Sequence, residues 1–248
     1  AAKAAAPKSA PAAPPGARAA FDQFRRAFVA AVFLGLSGEY ATAAMLYACV
    51  EDDYPLVVIA ELFAASFLAA WVGRAFARTA FERALGLKGA GLAGFLCVAA
   101  SAAATAHAGG ERDRYRVLFA GRVAAGLAQP LLQATCDGWM RAAHAAGGWP
   151  AAWRRETYAS LGTAATAASV LSGAWAQGLV VVAGDARAAP LAACACGVVA
   201  AGVVFASWPS VAASPADNPC CGGGDAETGG LGAFFEFPKS ATAARRGV

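Results

Sequence analysis

The sequence predicts an all-α membrane protein, a bundle of six transmembrane helices. Of its 248 residues, 58% are hydrophobic and only 15% are charged, with a mean hydropathy of +0.49. A soluble domain of this length would need more charge to cover its surface. Six apolar runs each approach or exceed the roughly 20 residues that a helix needs to cross a bilayer. Most charged residues fall between these runs.

The predicted spans follow one another with short connections. The first span contains Glu39, and the second begins near Glu61. The fourth is apolar enough to enter a bilayer, although it carries Arg122, Gln129 and Asp137. The fifth is uncharged throughout, and the sixth ends at a Trp-Pro pair. The six spans are 27–50, 56–77, 86–107, 116–142, 157–183 and 188–208.

Basic residues gather on alternate flanks of the spans, and this pattern predicts the orientation of the chain. The N-terminal flank, the second and fourth loops and the C-terminal tail are rich in Arg and Lys, whereas the first loop reads EDD. Loops on the cytoplasmic side of a membrane carry an excess of Lys and Arg. Both termini are therefore predicted on the basic, inside face. The third loop, ERDRYR, is mixed in charge and supports neither side.

Three regions are predicted from composition. Residues 1–22 form a basic Ala/Pro-rich leader expected to be disordered, 23–210 form the six-helix domain, and 211–248 form a Gly/Pro-rich tail with a short aromatic patch, LGAFFEFPK. Its first 20 residues are basic and contain no acid, which is typical of a processed organellar protein, so a plastid or thylakoid membrane is one expected location. An arbitrary boundary of the chain explains the leader equally well.

Composition also argues against several classes of function. The net charge of +4 is modest and the basic residues form no continuous stripe, so nucleic-acid binding is not expected. The sequence offers no nucleophile triad, metal cluster or phosphate-binding loop, and an enzyme is not predicted. His107 and His144 are expected to be structural. No metal or cofactor is predicted, bound lipid or pigment stays an open alternative, and the expected partners are the lipid bilayer and other membrane subunits.

The charged residues inside the spans are the candidate site. A guanidinium presents forked donors that match tetrahedral anions, so Arg122 could bind an oxyanion. We favour a structural role for it, in an ion pair with Glu39, Glu61 or Asp137. Glu39 lies mid-span, where an ionised carboxylate is costly unless it is paired or lines a cavity. Asp137 lies four residues before Arg141, a spacing that also allows a local ion pair.

The fourth span has a recognisable pattern: Gly-Arg, a Gly four residues after the Arg, a Leu-Leu pair, an acid, and a Trp before a short basic loop. It resembles the fourth helix of major facilitator superfamily transporters, in particular the molybdate-anion transporter family, which usually has Glu in place of this Asp. The resemblance covers about residues 21–210 and includes the loop GGWPAAW. The residues that carry the pattern are Gly121, Arg122, Gly126, Leu131, Leu132, Asp137 and Trp139.

Two departures from the family matter. Its signature loop after the second helix has Gly, three residues, then Asp-Arg, whereas this chain has Gly73, Ala77 and Arg78 at those positions. The resemblance therefore implies a weakened gating loop. The family fold also has two six-helix halves with substrate between them. This sequence predicts one half, so the resemblance implies a dimer, a partner that supplies a second half, or the loss of transport.

Two functions follow from these observations. The first is a structural or accessory subunit of a larger membrane complex, built like half a transporter, with a photosynthetic complex as one candidate host. The alternative is an oxyanion transporter that works as a dimer or with a second half and uses Arg122.

Overall fold

The computed structural model describes residues 16–107 and 111–210, without the side chains of 75–79, 111 and 112. Regular structure in this part of the chain is helical throughout, as the sequence predicts. The helices are α1 (Ala17–Val50), α2 (Leu56–Ala106), α3 (Glu111–Ala146), α4 (Ala151–Ala183) and α5 (Ala188–Ser207).

Helix α2 consists of two limbs, which we call α2a (Leu56–Arg74) and α2b (Ala80–Ala106). Their packing against α3 shows that they run in opposite directions. Along α2a, residue numbers rise together with those of the α3 residues that they contact, from Ser66 beside Gly126 to Gly73 beside Pro130. On α2b they run backwards, from Leu87 beside Gly138 to Ala104 beside Gly121. The chain therefore reverses between Gly73 and Leu87.

A glycine breaks the helix near the start of α2b. Gly86 has φ 68° and ψ 172°, which is outside the helical region. A side chain strongly disfavours this backbone conformation, and glycine adopts it without that penalty. The break separates the charged end of the limb from its apolar part, 87–106, which packs into the bundle.

The other helices complete an alternating bundle. Helix α4 runs parallel to α1, because Arg25 pairs with Glu156 near the start of both helices and Ala41 shares a core cluster with Ala176 further along both. Helix α5 runs antiparallel to α1, because the ring of Trp208 lies 5.4 Å from that of Phe28 at one end, while Gly38 packs on the backbone of Ala193 at the other. Six passes result, and residues 16 and 210 lie at the same end of the bundle.

Five of the six passes are long and apolar enough to cross a membrane: α1, α2a, α2b, α4 and α5. The remaining pass is α3, whose Arg122, Gln129 and Gln133 lower its hydropathy. It is the pass that packs along both limbs of α2. The all-α membrane bundle predicted from sequence is confirmed. None of the α3 residues from 121 to 144 is exposed, so its polar side chains are held within the bundle.

One end of the bundle is basic, and both residue 16 and residue 210 lie at this end. An aromatic cluster holds this end together, with Trp139 stacked 3.9 Å from Trp208. Trp139 Nε1 also donates to the carbonyl of Pro209 at 3.1 Å. His144 packs edge-on against rings of this cluster, which gives it the structural surroundings expected from sequence. The aromatic cluster comprises Phe21, Phe24, Phe28, Trp139, His144, Trp149, Trp153 and Trp208.

The opposite end is closed by an ion pair that the sequence does not predict. Arg114 is 5% exposed, pairs with Asp53, and donates from Nη2 to the carbonyl of Cys49 at 2.6 Å. A cation at the last carbonyls of a helix satisfies them and interacts favourably with the helix dipole. The mixed loop ERDRYR thus contributes a residue that caps the C-terminal end of α1.

Several predicted boundaries need correction. Helix α1 begins at Ala17, so residues 17–22 are helical and do not belong to a disordered leader. The fourth and fifth spans also begin earlier than predicted, at Glu111 and Ala151. The predicted spans stopped where the apolar runs stop, whereas the helices continue through charged residues at the ends of the bundle. Residues 1–15, and with them most of the predicted leader, lie outside the described residues, as does the tail at 211–248.

Gly126 should be required for the contact between α3 and α2a. A Cβ at this position would lie 2.7 Å from Cβ of Ala69 and closer still to the carbonyl of Ser66. Overpacking of this kind costs about 1–3 kcal/mol, so Gly126→Ala is expected to lower the thermal unfolding temperature in detergent. Gly173→Ala is the matched control, because nothing lies within 4 Å of a Cβ there. An equal loss in both variants would contradict this account of the packing.

Candidate binding cavity

A cavity of about 200 Å³ lies between α1, both limbs of α2, and α3. On α3 it is lined by the stretch from Arg122 to Gln129. Its wall combines apolar side chains, among them Phe63 and Phe67, with polar ones. The polar lining residues are Glu39, Thr42, Ser66, Ser101, Arg122 and Gln129.

Arg122 is the one lining residue with a buried charged side chain, at 4% exposed. Its Nη2 donates to Ser101 Oγ at 2.6 Å. The neighbouring Gly121 lets α3 approach α2b, because a Cβ there would lie 2.5 Å from Cβ of Ala104. Among the described residues, Arg122 Nε is buried without a hydrogen-bond partner. Leaving a buried donor unsatisfied costs about 1–3 kcal/mol, and more for a charged group.

Glu39 lines the same cavity from α1 and is half-buried. Within the described part of the chain it has no ion pair within 4.0 Å, although it is close enough to interact electrostatically with Arg122. The two opposite charges therefore face a common cavity without direct contact. An ion or polar solute between them would contact both.

Polar groups continue along α3 from this cavity toward the basic end. Glu39 and Gln129 also line a smaller cavity of about 20 Å³, together with Gln133. Gln133 in turn borders a third cavity with Arg74 and Pro130. Its Nε2 is buried and finds no hydrogen-bond partner among the described residues. These side chains form a polar stripe along one side of α3.

The structure brings three of the predicted site residues together and places two elsewhere. Arg122, Glu39 and Gln129 line one cavity. Asp137 lies near the basic end, where it pairs with Arg141, the local pair that the spacing of four allows, and accepts a hydrogen bond from Tyr158 at 2.5 Å.

The predicted ion pair of Arg122 is not formed. Glu61 is exposed and accepts a 3.5 Å hydrogen bond from Tyr115, so it is not a partner of Arg122. No salt bridge joins Arg122 to Glu39 or Asp137 either, in the described part of the chain. Its bonding partner is Ser101, which sequence reasoning missed because a single Ser in an apolar run carries no signal of its own.

The residues of the family pattern have packing roles. Gly121 and Gly126 lie where α3 touches the two limbs of α2, and Gly73 lies where α2a touches Pro130. Trp139 belongs to the aromatic cluster. Arg78, whose side chain is not described, stays a sequence-based candidate. Within the described residues, no three His, Cys, Asp or Glu side chains are grouped so that they could hold a metal ion.

A bundle of six helical passes, four of which line a polar cavity with a buried cation, is compatible with a polytopic membrane transporter unit. A family model described as sugar transporters with twelve transmembrane segments matches residues 8–220. The chain therefore belongs to this family of the major facilitator type. Comparisons with curated proteins and with solved structures found no match.

The bond between Ser101 and Arg122 can be tested against a matched serine. Ser101 and Ser37 are both buried, at 3% and 4% exposed, but the Ser37 hydroxyl has no hydrogen-bond partner among the described residues. Hydrogen bonds between membrane helices contribute on the order of 1 kcal/mol. Ser101→Ala is expected to lower the unfolding temperature in detergent, and Ser37→Ala to leave it unchanged or raise it. The assigned bond is wrong if the two variants unfold alike.

Proposed function

We propose that this six-helix unit binds a small oxyanion at Arg122 and works as one half of a membrane transporter. The observation that carries the proposal is the state of Arg122: a buried guanidinium that faces a cavity and has, among the described residues, one neutral hydrogen-bond partner. A structural arginine is normally satisfied by a carboxylate or by backbone carbonyls. Tetrahedral oxyanions offer the paired acceptors that a guanidinium fits.

The surrounding residues support a polar solute of this size. Ser66, Thr42 and Gln129 supply hydroxyl and amide groups around the cavity. Glu39 lies opposite Arg122 and would repel an anion when it is ionised. We therefore expect Glu39 to be protonated when an anion is bound, which would make binding stronger at acidic pH. The matching family is described as sugar transporters. A neutral polyol, held by the same hydroxyl, amide and carboxylate groups, is therefore the competing ligand.

The cavity also supports the need for a second unit. Phe67 lines it and is 71% exposed, so the cavity wall reaches the outside of the bundle on α2a. A polar cavity open to lipid is costly. The matching family is described with twelve transmembrane segments, whereas the described residues make six passes. A second six-helix unit, in the same polypeptide or another, would cover this opening.

A second candidate is an accessory subunit that no longer transports. The observation that favours it is Ala77, which stands where the superfamily's signature loop has an acid. Without that acid, the loop loses a charged partner for locking one conformation. In this case Arg122 and its cavity would be inherited features of the fold, in a protein whose role is to bind other membrane subunits.

Binding and uptake separate these candidates. The protein, isolated in native-membrane nanodiscs with its associated subunits, would be titrated with molybdate, sulfate and glucose. Loss of one charge-assisted contact costs about 1.5–3 kcal/mol, so Arg122→Gln is expected to weaken oxyanion binding by roughly ten-fold or more. Arg116→Gln, an exposed position on the same helix, is the control and should bind normally.

Each other outcome has a definite meaning. If glucose binds and the oxyanions do not, the ligand of the cavity is a sugar and the oxyanion proposal is wrong. Oxyanion binding that is unaffected by Arg122→Gln would move the site away from the cavity. If no solute binds or enters vesicles while the protein stays within a larger complex, the accessory role is supported and the transporter role is rejected.

A further inference from the structure

A second pocket lies outside the bundle, in a groove between α1 and α4 at the basic end. It has a volume of about 480 Å³. Two arginines stand at its charged mouth, and its deeper wall is largely apolar. The groove is lined by Arg25, Arg26, Val29, Ala30 and Phe33 of α1 and by Ser160 and Ala164 of α4.

The two arginines at the mouth differ in their bonding. Arg25 is held at 3.1 Å by Glu156 and at 3.1 Å by Asp22. Arg26 is exposed and has no hydrogen bond or ion pair among the described residues. Arg18 also pairs with Glu156 and Asp22, so two carboxylates offset two arginines there. Arg26 is left as the uncompensated charge at the mouth.

The position of the groove along α1 places its mouth at the membrane surface. Residues 27–50 contain one charged residue, Glu39. At 1.5 Å per residue this stretch is about 36 Å long, slightly more than the roughly 30 Å of hydrocarbon. Arg26 therefore falls at the level of the headgroups, while Val29 and Phe33 lie at the depth of the acyl chains.

The outer wall of the groove is the least enclosed helix of the bundle. Only 17% of the spanning stretch of α4 is buried, against 56% for α1. In a membrane, the exposed face of α4 meets either lipid or another protein. The combination of a free cation above and an apolar channel below matches one molecule with an anionic head and a chain.

We propose that this groove binds an anionic phospholipid, with its phosphate at Arg26 and one acyl chain along Val29, Phe33 and Ala164. Basic pockets between transmembrane helices are known to select anionic headgroups. A free phosphate would use only the mouth of the groove, and a helix of a partner protein would leave Arg26 facing apolar side chains. The inference is independent of the transport proposal, because the groove and the central cavity share no residue.

Native mass spectrometry of the whole protein tests this proposal. The protein would be released from nanodiscs of phosphatidylcholine alone, or of phosphatidylcholine and phosphatidylglycerol in equal parts. We expect one phosphatidylglycerol to be retained. A basic residue near the surface contributes about 1 kcal/mol to binding of an anionic lipid, so Arg26→Ala should weaken retention about five-fold. Arg83→Ala, an exposed basic residue at the same end but outside the groove, should retain it normally.

A second variant tests the apolar channel separately from the charge. Ala164→Trp would fill the groove and keep Arg26, and we expect it to lose the lipid while eluting as a folded protein on size-exclusion chromatography. If Ala164→Trp does not fold, Val29→Ser, which makes the channel polar without filling it, replaces it with the same expected loss.

Four results would overturn the proposal. These are equal losses in Arg26→Ala and Arg83→Ala, retention without preference for phosphatidylglycerol, full displacement of the lipid by inorganic phosphate, or a protein subunit found in the groove by cross-linking from position 30. The first would mean general surface attraction, the third a simple anion site, and the fourth a protein interface.

Discussion

The architecture depends on how closely α3 approaches the two limbs of α2. Gly126 rests on the backbone of Ser66, and Gly121 rests on Ala104. Glycines permit this short distance because they have no Cβ. In a membrane the lipid is as apolar as the helix surfaces, so helices associate through close packing rather than through the hydrophobic effect. The contacts fix the height of α3 within the bundle. That height in turn determines which side chains of α2b can reach Arg122.

The same close approach explains why a charged residue is tolerated in this helix. Arg122 follows Gly121 directly, so its side chain enters the bundle at the point of contact and reaches Ser101 rather than lipid. Its partner is a neutral hydroxyl, and Glu39 remains across a cavity. An incompletely satisfied cation is expensive for folding alone. A protein that keeps such a group beside a cavity has the electrostatic basis for binding an anion.

The two ends of the bundle are fastened by different chemistry. At the basic end, stacked rings from α1, α3 and α4, together with Trp208 just after α5, form one aromatic cluster. At the other end, Arg114 holds Asp53 and the last turn of α1. Rings with apolar faces and polar edges suit the interfacial zone of a membrane. Surplus arginines outside the cluster remain available to the membrane surface.

The sequence by itself determined the fold class and the alternating arrangement of the passes, because span length and the hydropathy of each run depend only on local composition. It also identified Arg122, Glu39 and Gln129 as polar residues that a membrane helix must accommodate. The sequence did not predict helix boundaries such as Ala17, because a helix can continue into charged residues once its backbone hydrogen bonds are satisfied. Only the tertiary structure decided the partners that the sequence did not indicate: Ser101 rather than an acid for Arg122, Tyr158 for Asp137, and Asp53 for Arg114. The reason is that each partner lies on another helix or another turn, and its distance is set by packing that no local pattern records.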